Sequence, residues 1–192
     1  MQLVFDLDGT LIDSSTGILG TLRHTFGVMG FDLLPEEQMR KFIGPPLEPA
    51  FMDFLGVEVY DGIPEMLDAL AGAGHSLHVA TSKPEVFAMR ILDNIGLAKY
   101  FTHICGAGLD GTRAKKAEVL EELFRRGGVT EPDAVTLADW RMIGDRFYDV
   151  EGAAAFGMKS VGVTWGFGPI EEFAGAEAAV QSPAALAALF IK

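Results

Sequence analysis

Two carboxylates one residue apart close the first apolar run of the chain, Leu3-Val4-Phe5-Asp6-Leu7-Asp8-Gly9-Thr10. Two more acids follow a later run, in Met142-Ile143-Gly144-Asp145-Arg146-Phe147-Tyr148-Asp149. Between them lie Thr81-Ser82-Lys83, at the end of another apolar run, and the pair Lys115-Lys116. Brought onto one rim, Asp6, Asp8 and Asp145 would crowd three negative charges, which is unfavourable unless a divalent cation is bound. Oxygen-only ligands select a hard ion, and Mg²⁺ suits the task because it keeps several waters and accepts a phosphate oxygen. The hydroxyls of Thr81 and Ser82 and a lysine could hold the remaining oxygens of that phosphate.

Such a rim needs a parallel sheet, whose strand ends share one edge. The pattern supplies one. A strand over Leu3 to Leu7 is followed by a helix from about Ser15 to Met29, with Ile18, Leu19, Leu22 and Phe26 at helical spacing and Ser14 or Ser15 as cap. Short helices are predicted over Pro35 to Phe42 and Leu47 to Leu55, parted by Gly44-Pro45-Pro46. From Gly62 onward helices and strands alternate. Helices are read near 63–70, 84–95, 115–126 and 148–156, and strands over 77–81, 101–105, up to Ile143, and 160–163. Glu121 with Arg125 and Glu122 with Arg126 stand at i,i+4 in the third of these helices. The alanine-rich tail from Ala174 reads as one further amphipathic helix. The fold class is therefore α/β, a Rossmann-like parallel sheet with helices on both faces. Residues 1–13 and 61–192 form the core, and 14–60 form a small helical insert after the first strand.

Composition narrows the field. The chain has 192 residues, 49% hydrophobic and 22% charged, with 14 Phe, which suits a globular domain and excludes a fibrous or disordered one. Its 15 Lys plus Arg against 27 Asp plus Glu leave a net charge of −12, which disfavours nucleic acid and anionic membrane as partners. No apolar run approaches the roughly 18 residues of a membrane span. The single cysteine, Cys105, can make no internal disulfide and is expected as a buried hydrophobe, in keeping with a cytoplasmic protein. His24, His75, His78 and His103 lack metal-ligand spacing, so surface or core roles are expected for them, and packing roles for Trp140 and Trp165.

The ordered set Asp6-Leu7-Asp8-Gly9-Thr10-Leu11, Thr81-Ser82-Lys83, Lys116 and Gly144-Asp145 through Asp149 resembles the four motifs of the haloacid dehalogenase superfamily. The branch it is similar to is phosphoglycolate phosphatase-like and nucleoside-monophosphate phosphatase-like, with a helical cap. The resemblance spans nearly the whole chain. It implies a Mg²⁺-dependent phosphomonoester hydrolase whose partner is a small phosphorylated metabolite, working as a monomer or homodimer. Asp6 would be the nucleophile that becomes an aspartyl-phosphate, and Asp8 the general acid and base. Mg²⁺ would be held by Asp6, Asp8 through its backbone carbonyl, Asp145 and Asp149. Thr81, Ser82, Lys116 and backbone N–H groups up to Gly9 would bind the phosphate. Lys116 is preferred over Lys115 on motif alignment, and Lys83, before Pro84, reads as a loop residue. Specificity is assigned to the cap around Gly44, Pro45, Pro46 and Leu47, with Arg23, Arg40 and Lys41 as possible anion contacts.

Two departures from the family pattern stand out. Only Gly56-Val57-Glu58 separates the segment Phe51 to Leu55, read as cap core, from Val59-Tyr60-Asp61-Gly62, where the family carries a further helix, so either the cap is abbreviated or a segment is absent from this sequence. The stretch Thr136 to Arg141 is also more polar than the start of a buried strand should be. Asp110-Gly111-Thr112 repeats the first motif's tripeptide without its strand and second acid, and reads as a turn. The same residues leave two alternatives open: a sugar phosphomutase, or a non-catalytic phosphate-ligand binding protein.

Overall fold

The computed structural model describes residues 1–30, 33, 35 and 57–191. Six parallel strands form one sheet in the order β5-β4-β1-β6-β7-β8, with β1 (Gln2–Phe5), β4 (Ser76–Pro84), β5 (Phe101–Ala107), β6 (Trp140–Gly144), β7 (Lys159–Val163) and β8 (Ala178–Val180). Leu3, Val4 and Phe5 have no exposed surface. A central parallel strand is covered on both faces, which is why its run is continuously apolar and not alternating.

Side chains alternate across the sheet and feed two cores. Leu3, Phe5, Leu77, Val79, Ile143 and Val161 pack with α2 (Ile63–Gly72), α3 (Glu85–Asn94) and α6 (Pro183–Phe190). Val4, Ala80, Cys105 and Met142 pack on the other face with α4 (Lys116–Arg126) and α5 (Phe147–Ala154). Helix α2 buries Ile63, Met66, Leu67 and Leu70, the face its spacing predicts. Before it, α1 (Ser15–Met29) lies between β2 (Ile12–Asp13) and β3 (Glu58–Val59), which pair antiparallel, so the chain leaves and re-enters the core at neighbouring points. Among the described residues no helix is long and apolar enough to cross a membrane.

Several local expectations are corrected. The N-terminus of α1 is served by Asp13 Oδ1, which accepts from the Ser15 N–H at 2.8 Å, whereas the Ser14 side chain makes no capping bond. In α4 Glu122 pairs with Arg126 at 2.8 Å as expected, but Arg125 pairs with Glu122 at 2.7 Å and not with Glu121. The tail is not one helix from Ala174: Ala178–Val180 add the edge strand β8 beside β7, and α6 starts at Pro183, capped by Ser182 Oγ. Alanine favours helix locally, but an unpaired edge of β7 offers backbone partners that override that preference. The polar stretch before Met142 is a turn held by Asp133 Oδ1, which accepts from the N–H groups of Val135 and Thr136. Strand β6 therefore begins only at Trp140. The helices expected over 35–42 and 47–55, with Gly44 to Leu47, Arg40, Lys41 and Phe51 to Leu55, lie outside the described residues apart from Pro35.

His78 is buried in a stack between His103 and Trp140, with ring centroids 5.4 Å away on either side, and its Nε2 lies 2.8 Å from Gln2 Oε1. Burial, with the nearby His103, pushes its pKa down to about 4 from an ordinary 6.5. A histidine held neutral in the fold stabilises it fully above the unfolded pKa, and that contribution is lost as pH falls through the folded one. Between pH 6.5 and 4 the wild type is expected to lose on the order of 2–3 kcal/mol from this group. Chemical denaturation of wild type and His78→Gln across that window checks this; parallel pH profiles for the two proteins would contradict it.

Candidate active site

The chain leaves β1 for β4 and β5 on one side, then crosses to β6, β7 and β8 on the other, so the connections reverse between β1 and β6. At such a switch point the loops part and leave a crevice beyond the strand ends. Asp6 and Asp8 follow β1 on one side of it, Asp145 follows β6 on the other, and Thr81, Ser82 and Lys83 lie at the end of β4.

Helix α4 delivers Lys116 to this crevice. Its Nζ donates to Asp6 Oδ1 at 2.7 Å and to the Ala80 carbonyl at 2.8 Å, and lies 2.9 Å from Asp149 Oδ1. Lys115, one residue earlier, is exposed and forms the helix cap, its N–H donating to Glu118 Oε2. Burial alone would lower the Lys116 pKa, but Asp149 and Asp6 outweigh it and hold the ammonium charged. Asp149 is buried in the first turn of α5, where Oδ2 accepts from the Arg146 N–H at 3.1 Å. Two glycines make room. A Cβ at Gly152 would come within 2.7 Å of Lys116 Cγ, and one at Gly144 would strike the Asp149 carboxylate.

Asp145 is fully buried; its Oδ2 accepts from the Phe167 N–H at 2.8 Å, while Oδ1 has no partner among the described residues. Burial, then Asp6 and Asp149, push its pKa up to about 8; burial also lifts Asp6 to about 6 against the pull of Lys116. Ligand oxygens of Asp6, Asp145 and Asp149 lie within 4.8 Å of one another. Asp6, Asp8, Asp145 and Asp149 face two ammonium groups, those of Lys116 and Lys83, so fully ionised they leave two negative charges, the charge of one divalent cation. The all-oxygen donor set and the orphaned Asp145 Oδ1 fit a hard divalent ion.

The Asp8 carboxylate stands apart from that cluster. Its Oδ2 lies 3.0 Å from Lys83 Nζ, and both side chains are largely buried, at 16% and 5% exposure. Lys83 is thus no loop residue: β4 runs on to Pro84 and carries it into the crevice. The phosphate role expected of Gly9 is likewise corrected, because its N–H donates to the Ile12 carbonyl at 2.8 Å. Gly9 instead shapes the turn, at φ 79°, where an added Cβ would strike the Asp145 carboxylate. Thr81 is buried, its Oγ1 accepting from the Lys83 N–H at 3.2 Å, and Ser82 lines the same cavity. Arg23 lies exposed on α1.

The loop after β7 went unnoticed in sequence. Cβ atoms at Gly166 and Gly168 would run into the Gly9 and Asp145 carbonyl oxygens respectively, so Gly-Phe-Gly lets this loop seat on the loops that follow β1 and β6. The Trp165 Nε1–H donates to the Thr10 carbonyl at 3.0 Å, a bond that ties the same loop to the first motif. Asp110-Gly111-Thr112 is an exposed turn, in which Asp110 Oδ1 accepts from the Thr112 N–H and hydroxyl. His75, His78 and His103 lie outside the acidic cluster, and Cys105 is buried.

The crevice encloses about 40 Å³. It is small and polar, open at its mouth, and lined by Asp6, Asp8, Thr81, Ser82 and Lys116. Tyr148, 49% exposed, and Phe167 line its mouth beside Arg146, whose guanidinium is held by Glu172 at 3.0 Å.

The family model for haloacid dehalogenase-like hydrolases matches residues 3–56 and 52–163. A 5'-nucleotidase of Pseudomonas aeruginosa is 36% identical over 89% of this chain and 86% of its own. A phosphoglycolate phosphatase of Agrobacterium fabrum is 28% identical over 85% and 80%. The crystal structure of a predicted phosphatase from Clostridium acetobutylicum superposes with a TM-score of 0.84 at 35% identity, covering 98% of this chain and 96% of that one.

Proposed function

Since the chain belongs to the haloacid dehalogenase-like hydrolase family and is a phosphatase, we propose that it cleaves small phosphomonoesters with Mg²⁺ through an aspartyl-phosphate on Asp6. The observation that carries this reading is the Asp6 carboxylate held by Lys116 at 2.7 Å and flanked by Asp145 and Asp149 in a small polar crevice at the strand ends. Asp6, Asp145 and Asp149 would hold the metal, with the Asp8 carbonyl as a further ligand. When bound, Mg²⁺ would offset the carboxylate charge and polarise the phosphoryl oxygens.

The residues then divide the work. An Asp6 oxygen attacks phosphorus as the ester P–O bond breaks, and Asp8 gives a proton to the departing alkoxide. Asp8 next takes a proton from water, which attacks the same phosphorus and frees phosphate and Asp6. Lys116 and the Thr81 hydroxyl stabilise the equatorial oxygens in a site where such charges are weakly screened. We place the protein in the cytoplasm and its cap in residues 14–60.

Of the two substrate classes, we favour a nucleoside monophosphate over phosphoglycolate, because Tyr148, half-exposed and packed on Phe147, and Phe167 both line the crevice, where an aromatic ring can meet a base. The test is phosphate release from nucleoside monophosphates, phosphoglycolate and sugar phosphates, each with and without Mg²⁺. Mg²⁺-dependent release is expected, with Tyr148→Ala raising KM roughly tenfold on nucleotides, a loss of about one stacking contact, and less on phosphoglycolate. Conversion of a sugar phosphate to its isomer without free phosphate would favour a mutase, and silence across the panel would favour a binding protein.

A further inference from the structure

The most unusual contact in the crevice is the one between Lys83 and Asp8, because Asp6 already has a buried lysine in Lys116 and Lys83 is not needed to neutralise it. Lys83 Nζ lies 3.0 Å from Asp8 Oδ2, and the lysine side chain is only 5% exposed. The other carboxylate oxygen, Asp8 Oδ1, is buried and has no partner among the described residues. The backbone prepares the contact: the Lys83 N–H is anchored on Thr81 Oγ1 at 3.2 Å. The next turn is anchored too, since Glu85 Oε2 accepts from the Gly106 N–H at 3.2 Å and both Glu85 oxygens accept from Arg126 at 3.0 Å. An added Cβ at Gly106 would sit 2.7 Å from the Glu85 backbone nitrogen, so β5 presses closely on this segment.

We propose that Lys83 is a positioning residue for the general acid: it grips Oδ2 and so aims Oδ1 of Asp8 at the leaving-group oxygen. This rests on the phosphatase reading above, in which Asp8 protonates the alkoxide. With an N–H of Lys83 on Oδ2, the proton that Asp8 delivers sits on Oδ1. As the ester P–O bond breaks, its electron pair stays on the leaving oxygen, which takes that proton from Oδ1. Without Lys83 the Asp8 side chain is free to rotate and its acid oxygen is no longer held in line, although Asp6, Lys116 and the metal ligands keep their places. A residue that bound the phosphate directly would affect all esters alike. A residue that aims the acid matters most where the leaving group needs a proton.

The experiment compares kcat/KM, which reports the first chemical step, for an alkyl phosphate such as glycerol 2-phosphate and for 4-nitrophenyl phosphate, whose leaving group departs as the anion. Lys83→Met is expected to lose about 100-fold on the alkyl ester, the lower end of what general acid catalysis supplies, and several-fold on the nitrophenyl ester. Lys83→Arg, which can still donate to Oδ2, recovers part of the alkyl loss, and Lys83→Gln serves if the Met variant does not fold. In an Asp8→Asn background, Lys83→Met adds little on the alkyl ester, because the two residues act as one unit. Equal losses on both esters, or additive losses with Asp8→Asn, overturn the inference while leaving the phosphatase reading intact. A wild type that releases phosphate neither from these esters nor from the nucleoside monophosphates overturns both.

Discussion

Replacing Asp6 with Asn is expected to lower phosphate release by about four orders of magnitude or more, because removal of a nucleophile eliminates the covalent route and leaves only binding and electrostatic effects. The amide keeps the shape of the side chain and can still meet the Lys116 ammonium through its carbonyl oxygen, so the fold should survive. The charge change works in the same direction. Burial already penalises an ionised Asp6, pushing it to about 6, and the Asn variant removes that cost. The Asn protein should therefore melt no lower than wild type in chelator while failing to turn over any ester in the panel. Steady-state phosphate release and a thermal melt on the same preparation check this. Turnover within tenfold of wild type would remove Asp6 from the mechanism and with it the aspartyl-phosphate.

Lys116→Met has the second large effect, and it acts on stability as well as rate. The wild-type Nζ lies 2.7 Å from Asp6 Oδ1 and 2.9 Å from Asp149 Oδ1, and also donates to the Ala80 carbonyl, with the lysine side chain 4% exposed. Removing one partner of a buried ion pair leaves the other charge uncompensated and typically costs about 3–5 kcal/mol. For a chain of this length that lowers Tm by roughly 10 °C or more. Added Mg²⁺ should return part of the loss, because a cation bound by Asp6, Asp145 and Asp149 stabilises the folded state by mass action. Turnover at saturating Mg²⁺ should still fall about 100-fold or more, the cost of losing one fixed positive group on the transferring phosphoryl oxygens. Melts in chelator and in excess Mg²⁺ separate the two effects. A variant as stable as wild type in chelator would mean that the carboxylates protonate or find water at little cost.

Much of the site is legible in the chain because its chemistry is local. A carboxylate directly after an apolar run must leave the core at a strand end, so Asp6, Asp8 and Asp145 announce their positions through their neighbours. Lys116 is preferred over Lys115 only by resemblance to the family motif; the structure begins α4 at Lys116 and leaves Lys115 exposed. Lys83 reads as a loop residue because the residue before a proline suggests a break, yet β4 continues through Pro84, paired with Ala107 of the neighbouring strand β5. Gly9, a glycine within the first motif, reads as a phosphate donor, whereas its N–H closes a turn on Ile12.

The tail and the loop after β7 show the limit of local reading from another side. The alanine-rich tail has no strand signal of its own, and Ala178–Val180 become β8 only because the β7 edge offers them backbone partners. Gly166 and Gly168 carry no signal except their type, and their need for small size arises from Gly9 and Asp145, more than a hundred and about twenty residues away.

By itself, then, the sequence determined which residues could do the chemistry and that a parallel sheet would carry them, since side-chain type, apolar runs and helical spacing are local quantities. Only the tertiary structure decided the partnerships: Lys116 between Asp6 and Asp149, Lys83 on Asp8, and Phe167 on Asp145. The physical reason is that each pair joins residues that only the order and register of the strands bring within a few ångströms, and at that range, away from water, a charge acts mainly on its immediate neighbour.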